Sequence, residues 1–414
     1  MAKRFSSAEW SKINTLLASN GGDFGLPERR SKSVVLASFN IRKIGNIANK
    51  SKQSWQFLKN FCDRCDLVAV QEVQDDLSGL NHLRDLLGKS GGRSQYSMTA
   101  SDITGWSPSS KNSMVERLAF LYRKGRVERT EVSSDLTFDR SEVLNGMYKD
   151  RANLWQDLEQ RVADLAVWEQ KNEGKSRKSK KPPFVLSNFL TFIRTPLCTS
   201  FRIPGVAGSQ PYEFLAVNAH LLYGDKNKQK LERQLEFYAL LMWLIERAKK
   251  VKKLYHKNLI LMGDLNLDFT KVDERRTIIE NKIKSLNGGE LRSPNAATVN
   301  FPFFNAHKNA SLDTETGEPG IFRSTARLGE TYDQIALFSH DDRLPTPDVN
   351  ADAGLTKDSF DYGVFNFSNL FSQALHKKPY LALTKSEKKS LIAKYEHDVS
   401  DHLPIWIRLP KPGV

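Results

Sequence analysis

The stretch NLILMGDLNLDF, residues 258–269, begins like a buried strand and ends with polar side chains. Leu259 to Met262 are continuously apolar, which is typical of a strand that is covered on both faces of its sheet. The run stops at Gly263, and Asp264 and Asn266 follow two residues apart, so an extended chain points them the same way. The stretch therefore predicts an α/β core with a carboxylate and an amide at a strand end.

Polar side chains also end several other apolar stretches of the chain. An Asp or Asn at one strand end is commonly a turn former, so a single instance indicates little. Repetition of the pattern predicts that several strand ends converge on one cleft that holds carboxylates, amides and two imidazoles. The residues concerned are Asn40, Glu72, Asn218, His220, Asp264, Asn266, Asp333, Asp401 and His402.

Strand and helix patterns alternate along most of the chain, which indicates an α/β domain with buried sheets. Strand patterns occur at 33–41, 66–73, 94–100, 212–222, 331–338 and 403–409. We further predict a hairpin at 117–132, a strand at 184–194 and a long loop that contains FNFSNLFSQAL, residues 365–375. The predicted organisation is an N-terminal extension (1–32) and a single domain (33–410) that carries a helical and basic insertion (133–182).

The composition favours a folded protein with a polyanionic partner. Of the 414 residues, 39% are hydrophobic, which allows a substantial core and argues against global disorder. The 62 Lys and Arg residues outnumber the 48 Asp and Glu residues, and the net charge of +14 favours nucleic acid first and an anionic membrane surface second. A generally basic surface without a specific partner is the alternative. Basic clusters lie at 176–181 and 247–253.

Targeting signals and cysteines point to a cytoplasmic location. Residues 1–20 lack a continuous apolar segment and a cleavage site, so a standard secretory signal is not expected. No apolar stretch approaches the length of a membrane span. The three cysteines are too few for a disulfide scaffold, and Cys62 and Cys65 lie one turn apart on a predicted helix with no second ligand pair following. We therefore expect packing or surface thiols rather than a zinc or redox site.

The predicted cleft has the groups that metal-assisted hydrolysis of a phosphate ester requires. Carboxylate and amide oxygens suit a hard divalent cation such as Mg²⁺, which also binds phosphate oxygens of its substrate. The two histidines then remain available as acid and base, whereas a zinc site would recruit them as ligands. Hydrolysis needs a base to activate water, a cation to stabilise the developing charge and an acid to protonate the leaving oxygen.

Six short motifs occur in an order that resembles a known family. SFNIRKIG, QEV, VNAHL, MGDLN, YDQI and SDHLPI are together similar to the endonuclease/exonuclease/phosphatase superfamily, most closely its deoxyribonuclease I-like branch. The resemblance spans residues 33–132 and 184–410. It implies a four-layer α/β sandwich, in which two packed, mainly antiparallel or mixed β-sheets are flanked by helices.

The resemblance also implies roles for the metal and water ligands. Glu72, assisted by Asn40, would hold the catalytic Mg²⁺, for which Mn²⁺ can substitute. Asp401 would complete or flank this metal site. Asp264 and Asn266 would position the attacking water and the scissile phosphate, and Asp264 is an alternative to a histidine as the group that activates the water.

The same comparison assigns the acid, the base and the phosphate contacts. His402 would act as general base, oriented by Asp333, and His220 would serve as general acid or phosphate ligand. The segment MTASDITGWSPSSKNSMVERLAFLYR, residues 98–123, is similar to a deoxyribonuclease I stretch in which an acidic residue precedes a hairpin, so Asp102 is the expected orienting carboxylate of His220. The expected phosphate contacts are Arg42, Arg117 and Asn218.

Charge and local resemblance favour a nucleic-acid substrate, with DNA preferred over RNA and with endonucleolytic cleavage that includes nicking. The Pro-Ala-Trp-Cys-Asp-Arg run of the inositol phosphatase branch is absent, and GETYDQIAL stands in its place. The alternatives are another phosphoesterase of the superfamily, acting on RNA, phosphoinositide or sphingomyelin, or a catalytically silent nucleic-acid-binding module. The insertion at 133–182 is a candidate surface for a protein partner.

Overall fold

The computed structural model describes residues 4–105, 115–136, 140–182, 191–223, 227–249, 255–270, 274–288, 297–307, 309–310, 320–340 and 362–413. The helices are α1 (Ser7–Asn20), α2 (Lys52–Cys62), α3 (Ser78–Leu86), α4 (Arg140–Lys149), α5 (Arg151–Asn172), α6 (Asn227–Lys249), α7 (Glu274–Gly288), α8 (Phe367–His376) and α9 (Lys385–Asp398). The strands are β1 (Ser33–Ile44), β2 (Leu67–Val73), β3 (Lys89–Ser90), β4 (Arg93–Ser94), β5 (Tyr96–Ala100), β6 (Arg117–Arg123), β7 (Glu128–Asp135), β8 (Leu197–Ile203), β9 (Tyr212–His220), β10 (Asn258–Asp264), β11 (Thr298–Asn300), β12 (Asp333–Ser339), β13 (Tyr362–Val364) and β14 (Ile405–Pro410).

Two six-stranded sheets form the centre of the fold. The first sheet has the order β13-β14-β1-β2-β6-β5, and the second has the order β11-β12-β10-β9-β8-β7. Each sheet contains one parallel pair, β1–β2 or β9–β10, and its other neighbours are antiparallel. A parallel pair needs a crossover, and α2 and α6 supply it. The carboxyl ends of these four strands lie at the same edge of the sandwich, where the polar strand ends meet.

The apolar run of β10 is covered on both faces, as the sequence predicts. Ile260 and Met262 belong to the core shared with the first sheet, whereas Leu259 and Leu261 pack in a second core with α6 residues such as Leu244. Full burial of one such side chain stabilises the fold by about 1.5–3 kcal/mol. Alternate residues of one strand therefore join two different cores.

Helices α1, α2 and α8 cover the outer face of the first sheet. Phe57 of α2 lies with its ring centroid 5.7 Å from Trp10 of α1 and 5.1 Å from Phe371 of α8. Phe61, one turn further along α2, meets Phe39 of β1 at 5.7 Å. With α6 on the second sheet, the order helix, sheet, sheet, helix confirms the four-layer α/β sandwich. Residues 7–20 thus pack as part of the outer layer rather than apart from it.

Two predictions of local structure are wrong, and a third falls largely outside the described residues. The hairpin at 117–132 does not form, because β6 pairs with β2 and β5 in the first sheet while β7 pairs with β8 in the second. The strand predicted at 184–194 lies outside the described residues at 183–190, and residues 191–194 are not extended; the strand begins at Leu197. The segment 365–375, predicted in a loop, forms α8, which Asn366 caps by accepting from the backbone N–H of Asn369.

The predicted insertion contains α4 and α5, followed by a basic segment that folds back on α5. The amide of Asn172 accepts from the backbone N–H of Ser179 at 2.5 Å, and Trp168 Nε1 donates to the carbonyl of Ser179. Lys178 and Lys181 lie over the Trp168 ring at 5.8 and 5.1 Å. The basic cluster at 176–181 therefore packs against α5, while residues 250–253 of the other cluster lie outside the described part of the chain.

Among the described residues, no helix has the length and apolar character that crossing a membrane requires.

Candidate active site

Strand register places the central polar side chains next to one another. Asp264 at the end of β10 is opposite His220 of β9 on one side and opposite Asp333 of β12 on the other. On the facing sheet, Asn40 of β1 is opposite Gln71 of β2, one residue before Glu72. The two sheets therefore bring five of the predicted residues to one edge of the sandwich.

The backbone at this edge adopts conformations that side chains rarely tolerate. Lys43, Glu72 and Asn266 have φ of 52°, 57° and 51°. Such left-handed residues cost about 1–3 kcal/mol each and often accompany functional sites. Gly263 has φ of 151°, and a Cβ there would lie 1.9 Å from the carbonyl oxygen of Ala219, so the glycine allows β10 to approach β9 just before Asp264.

His402 is held between two carboxylates. Its Nδ1 lies 2.8 Å from Oδ2 of Asp333, and its Nε2 lies 3.4 Å from Oδ2 of Asp264. Burial lowers the pKa of His402, but the two carboxylates outweigh this effect and hold that pKa well above its usual range. The two contacts hold the imidazole in place, and the raised pKa favours its protonated form. The pairing with Asp333 is the one expected from the sequence.

His220 has the same arrangement with a different partner. Its Nδ1 lies 2.5 Å from Oε1 of Glu116, and its Nε2 lies 3.5 Å from Oδ2 of Asp264. Burial and the nearby guanidinium of Arg194 lower the pKa of His220, but the carboxylates of Glu116 and Asp264 raise it above its usual value. Arg194 Nε lies 3.3 Å from Glu116 Oε2, and its Nη1 donates to the carbonyl of Leu221 at 2.9 Å.

Glu116 and Arg194 were not predicted from the sequence. The sequence signal for Glu116 is an acidic residue directly before the apolar strand in VERLAF, whereas the sequence comparison indicates Asp102. For Arg194, the signal was a basic residue three positions before β8. Both side chains are buried and line the cleft.

Asp264 is the common acceptor of this network. Its Oδ1 accepts the backbone N–H of Asn266 at 2.9 Å, and its Oδ2 accepts Nδ2 of Asn40 at 3.0 Å. Burial would raise the pKa of Asp264, but the two imidazoles and these hydrogen bonds lower it. The carboxylate is thus ionised, although it is almost completely buried.

Glu72 and Asn40 form a second polar group beside it. Nδ2 of Asn40 also donates to Oε1 of Glu72 at 3.2 Å, and Oδ1 of Asn40 is buried with no hydrogen-bond partner among the described residues. Oδ1 of Asp401 is likewise buried and has no partner in the described part of the chain, although the side chain as a whole is 35% exposed. Unpaired oxygens of this kind fit a hard divalent cation, which would satisfy them.

A second grouping also has the spacing of a metal site. One ligand atom each from Asp264, Asp333 and His402 lies within 4.8 Å of the others. However, Asp264 Oδ2 already faces Nε2 of both imidazoles and the amide of Asn40. Glu72, Asn40 and Asp401 therefore fit a divalent cation better.

The cleft encloses about 610 Å³ and is lined by both cations and carboxylates. Arg42 lies 3.1 Å from Glu396 and 3.7 Å from Asp401, and Arg327 lies 2.7 Å from Glu396. Arg42, predicted as a phosphate contact, lines this cleft together with Lys43. The cleft therefore combines cationic groups that can contact an anionic substrate with carboxylates that can bind a metal ion.

Three residues that the sequence predicts for the site do not line the cleft. Asp102 is 89% exposed and pairs with Arg117 at 3.2 Å, while Glu116 occupies the expected place beside His220. Arg117 also donates to the carbonyl of Ser101, and it does not line the cleft. Asn218 is fully buried between the sheets: its amide nitrogen donates to the carbonyls of Val70 and Ala119, and its Oδ1 accepts from Gln71 at 2.6 Å. These hydrogen bonds occupy the side chain and leave none for phosphate.

Solved structures resemble this chain over most of its length. An endonuclease/exonuclease/phosphatase family protein from Bacteroides thetaiotaomicron is 12% identical, with a TM-score of 0.41 over 92% of this chain and 99% of its own. The human Nocturnin catalytic domain with bound sulfate is 12% identical, with a TM-score of 0.40 over 91% and 93% of the two chains. TDP2 from Caenorhabditis elegans is 13% identical, with a TM-score of 0.41 over 98% and 82%.

Comparisons based on sequence identify no relative of this chain. No protein-family model matches the chain, and no curated protein matches it. The likeness to solved structures concerns the fold alone at these identities. Substrate and cofactor therefore have to be inferred from this chain's own side chains.

Proposed function

We propose that the protein is a divalent-cation-dependent phosphodiesterase that hydrolyses the nucleic-acid backbone, with Mg²⁺ as the cation and DNA as the preferred substrate. One observation carries the proposal: two imidazoles, each held by a buried carboxylate, converge on Asp264 inside a cleft that Arg42 and Lys43 also line. This arrangement supplies two positioned proton carriers at one point, which hydrolysis of a phosphate ester requires.

In the proposed reaction, a water oxygen forms a bond to phosphorus as the bond from phosphorus to the leaving oxygen breaks. His402 takes the proton of the water at Nε2, and Asp333 stabilises the resulting imidazolium through Nδ1. His220 gives its Nε2 proton to the leaving oxygen while Glu116 holds its ring. Asp264 keeps both Nε2 atoms directed at the same point. Because His402 favours its protonated form in the free protein, it has to lose that proton before it can act as base.

The residues that would hold the cation are Glu72, Asn40 and Asp401. When bound there, a divalent cation supplies positive charge that stabilises the charge developing on the phosphate oxygens. Arg42 lines the same cleft and offers its guanidinium group to those oxygens. The net charge of +14 supports a long polyanion rather than a small phosphate ester.

A substrate panel tests the proposal. Purified protein is incubated with supercoiled plasmid, linear duplex DNA, single-stranded DNA and RNA, in Mg²⁺, in Mn²⁺ and in EDTA. Phosphoinositide and sphingomyelin are included to test the other phosphoesterase activities. We expect cleavage of DNA in Mg²⁺ and none in EDTA. Absence of cleavage of every nucleic acid, or equal cleavage in EDTA, contradicts the proposal.

A further inference from the structure

A basic groove continues from the cleft toward the N-terminal end of the described chain. It encloses about 490 Å³ and is defined by Arg4, Arg42, Lys43, Lys50 and His397, together with smaller residues between them. Residues that line both the groove and the cleft are Arg42, Lys43, Gln74 and Glu396. The cleft and the basic groove are therefore one continuous surface.

The basic groove carries more positive charge than its own carboxylates balance. Arg42 pairs with Glu396, and Arg4 approaches Asp398 at 3.7 Å. Lys43 has an exposed side chain and takes part in no ion pair within the described residues. Lys50 is likewise in no ion pair among the described residues, so no carboxylate contact balances the ammonium groups of Lys43 and Lys50.

Lys50 is an unusual residue for a structural role. Only 6% of it is exposed, and within the described part of the chain its Nζ donates to one acceptor, the carbonyl of Val399 at 2.9 Å. An ammonium group has three donors, and burial without an anionic partner is costly. Burial lowers the pKa of Lys50 to about 8, although the carboxylates of Asp398 and Glu72 act to raise it. An anion in the basic groove would stabilise the charged form of this side chain.

The segment before α1 holds one wall of the basic groove in place. Phe5 is buried against Trp10, and its backbone N–H donates to Asp398 at 2.8 Å. Arg4, the preceding residue, donates through Nη2 to the carbonyl of Asn49 at 2.9 Å. The contacts with Asn49 and Asp398 thus hold the guanidinium of Arg4 in the wall of the basic groove.

We propose that the basic groove binds a second phosphate of the same nucleic-acid strand, next to the phosphate that is hydrolysed. This rests on the proposed function, because the groove opens into the cleft where that reaction would occur. A strand that leaves the cleft over Arg42 and Lys43 meets Lys50 and Arg4, whose charges match its next phosphate. The protein then prefers a polynucleotide to an ester with a single phosphate.

Two substrates and three variants test this subsite. The substrates are a thymidine hexanucleotide and thymidine 5′-p-nitrophenyl phosphate, which has a single phosphodiester. Arg4→Gln and Lys43→Gln remove groove charges, and Lys52→Gln removes an exposed charge of α2 outside the groove. We expect the loss of kcat/KM toward the hexanucleotide to exceed the loss toward the single-phosphate ester by about tenfold for each groove variant. For Lys52→Gln we expect kcat/KM toward each substrate to equal the wild-type value.

Binding in EDTA provides a readout that does not depend on turnover. Fluorescence anisotropy measures hexanucleotide binding across a range of salt concentrations, and each lost phosphate contact reduces the slope of log K against log salt by about 0.7. If the protein cleaves DNA but neither groove variant changes this slope or the substrate ratio, the subsite is wrong and the proposed function stands. If the protein cleaves nothing but the slope falls in both groove variants, the subsite stands and the proposed function fails.

Discussion

His402 and His220 direct their Nε2 atoms at the same oxygen, Oδ2 of Asp264, from distances of 3.4 and 3.5 Å. Each ring is held on its opposite side by a different carboxylate, Asp333 or Glu116. Asp264 therefore determines both the spacing and the charge of the two proton carriers.

Replacement of Asp264 by Asn should remove activity while the fold persists. The amide preserves the hydrogen bonds to the neighbouring backbone but removes the negative charge that both imidazoles face, and we expect kcat to fall by about 10³-fold. Plasmid cleavage in Mg²⁺ measures the loss, and circular dichroism checks the fold. Asp85→Asn, at an exposed position of α3, is the matched control. More than a tenth of the wild-type rate in Asp264→Asn would falsify the central role of this carboxylate.

Replacement of Glu116 and replacement of Asp102 should have different effects on kcat, because only Glu116 contacts His220. Glu116→Gln should lower kcat by about 10²-fold, because the ring loses the carboxylate that orients it and stabilises its charge. The imidazole NMR signals should also show a lower pKa of His220 in this variant. Asp102→Asn should change kcat by less than about twofold, since the side chain is exposed and pairs with Arg117. A larger loss of kcat in Asp102→Asn than in Glu116→Gln would show that Asp102, the residue expected from the sequence, orients His220.

The sequence predicts the residues at the strand ends better than the residues between strands. His220 and Asp264 end apolar runs and Asp333 begins one, and the burial of those runs sets their register. Asp102 and Glu116 both lie between the end of β5 and the start of β6, so chain order alone does not say which of them reaches His220. The contact of Glu116 Oε1 with His220 Nδ1 settles it in the structure.

Stacking of the two sheets is the other feature that strand patterns do not reveal. Asn218 and His220 share one face of β9, so the sequence assigns both to the cleft. His220 lies at the edge of the sandwich, whereas Asn218 lies two residues deeper, between the sheets. In the same way, β6 and β7 look like a hairpin because only four residues separate them, yet β6 already has β2 and β5 as partners.

Replacement of Glu72 by Gln should weaken the response to divalent cations. A neutral amide is a poorer ligand than a carboxylate, so we expect the Mg²⁺ concentration for half-maximal activity to rise by about tenfold or more. Mg²⁺ should also raise the Tm of the wild-type protein and have little effect on the variant, because a ligand stabilises only the state that binds it. Asp75→Asn, at an exposed position beyond β2, should behave like the wild type. An equal thermal shift in Glu72→Gln places the cation elsewhere.

His220 should make stability fall as the pH rises. Its pKa is raised above 6.5 in the folded protein, so the folded state binds this proton more tightly than the unfolded state does. The contribution is fully present below pH 6.5 and is lost as the pH rises through the folded pKa. Urea unfolding in EDTA across this range should show a decline that is shallower in His220→Gln. Parallel declines in the two proteins would contradict the pKa direction.

Asn218 should matter for stability rather than for substrate binding. Its replacement by Ala leaves the carbonyls of Val70 and Ala119 and the amide of Gln71 without these partners between the sheets. Buried polar groups that lose their hydrogen bonds cost about 1–3 kcal/mol, so the free energy of unfolding should fall by that amount. Asn153→Ala, at an exposed position of α5, should leave it unchanged within about 0.5 kcal/mol. The salt dependence of oligonucleotide binding should be the same in all three proteins, because Asn218 has no free donor for phosphate; a smaller slope in Asn218→Ala alone would restore its predicted role as a phosphate contact.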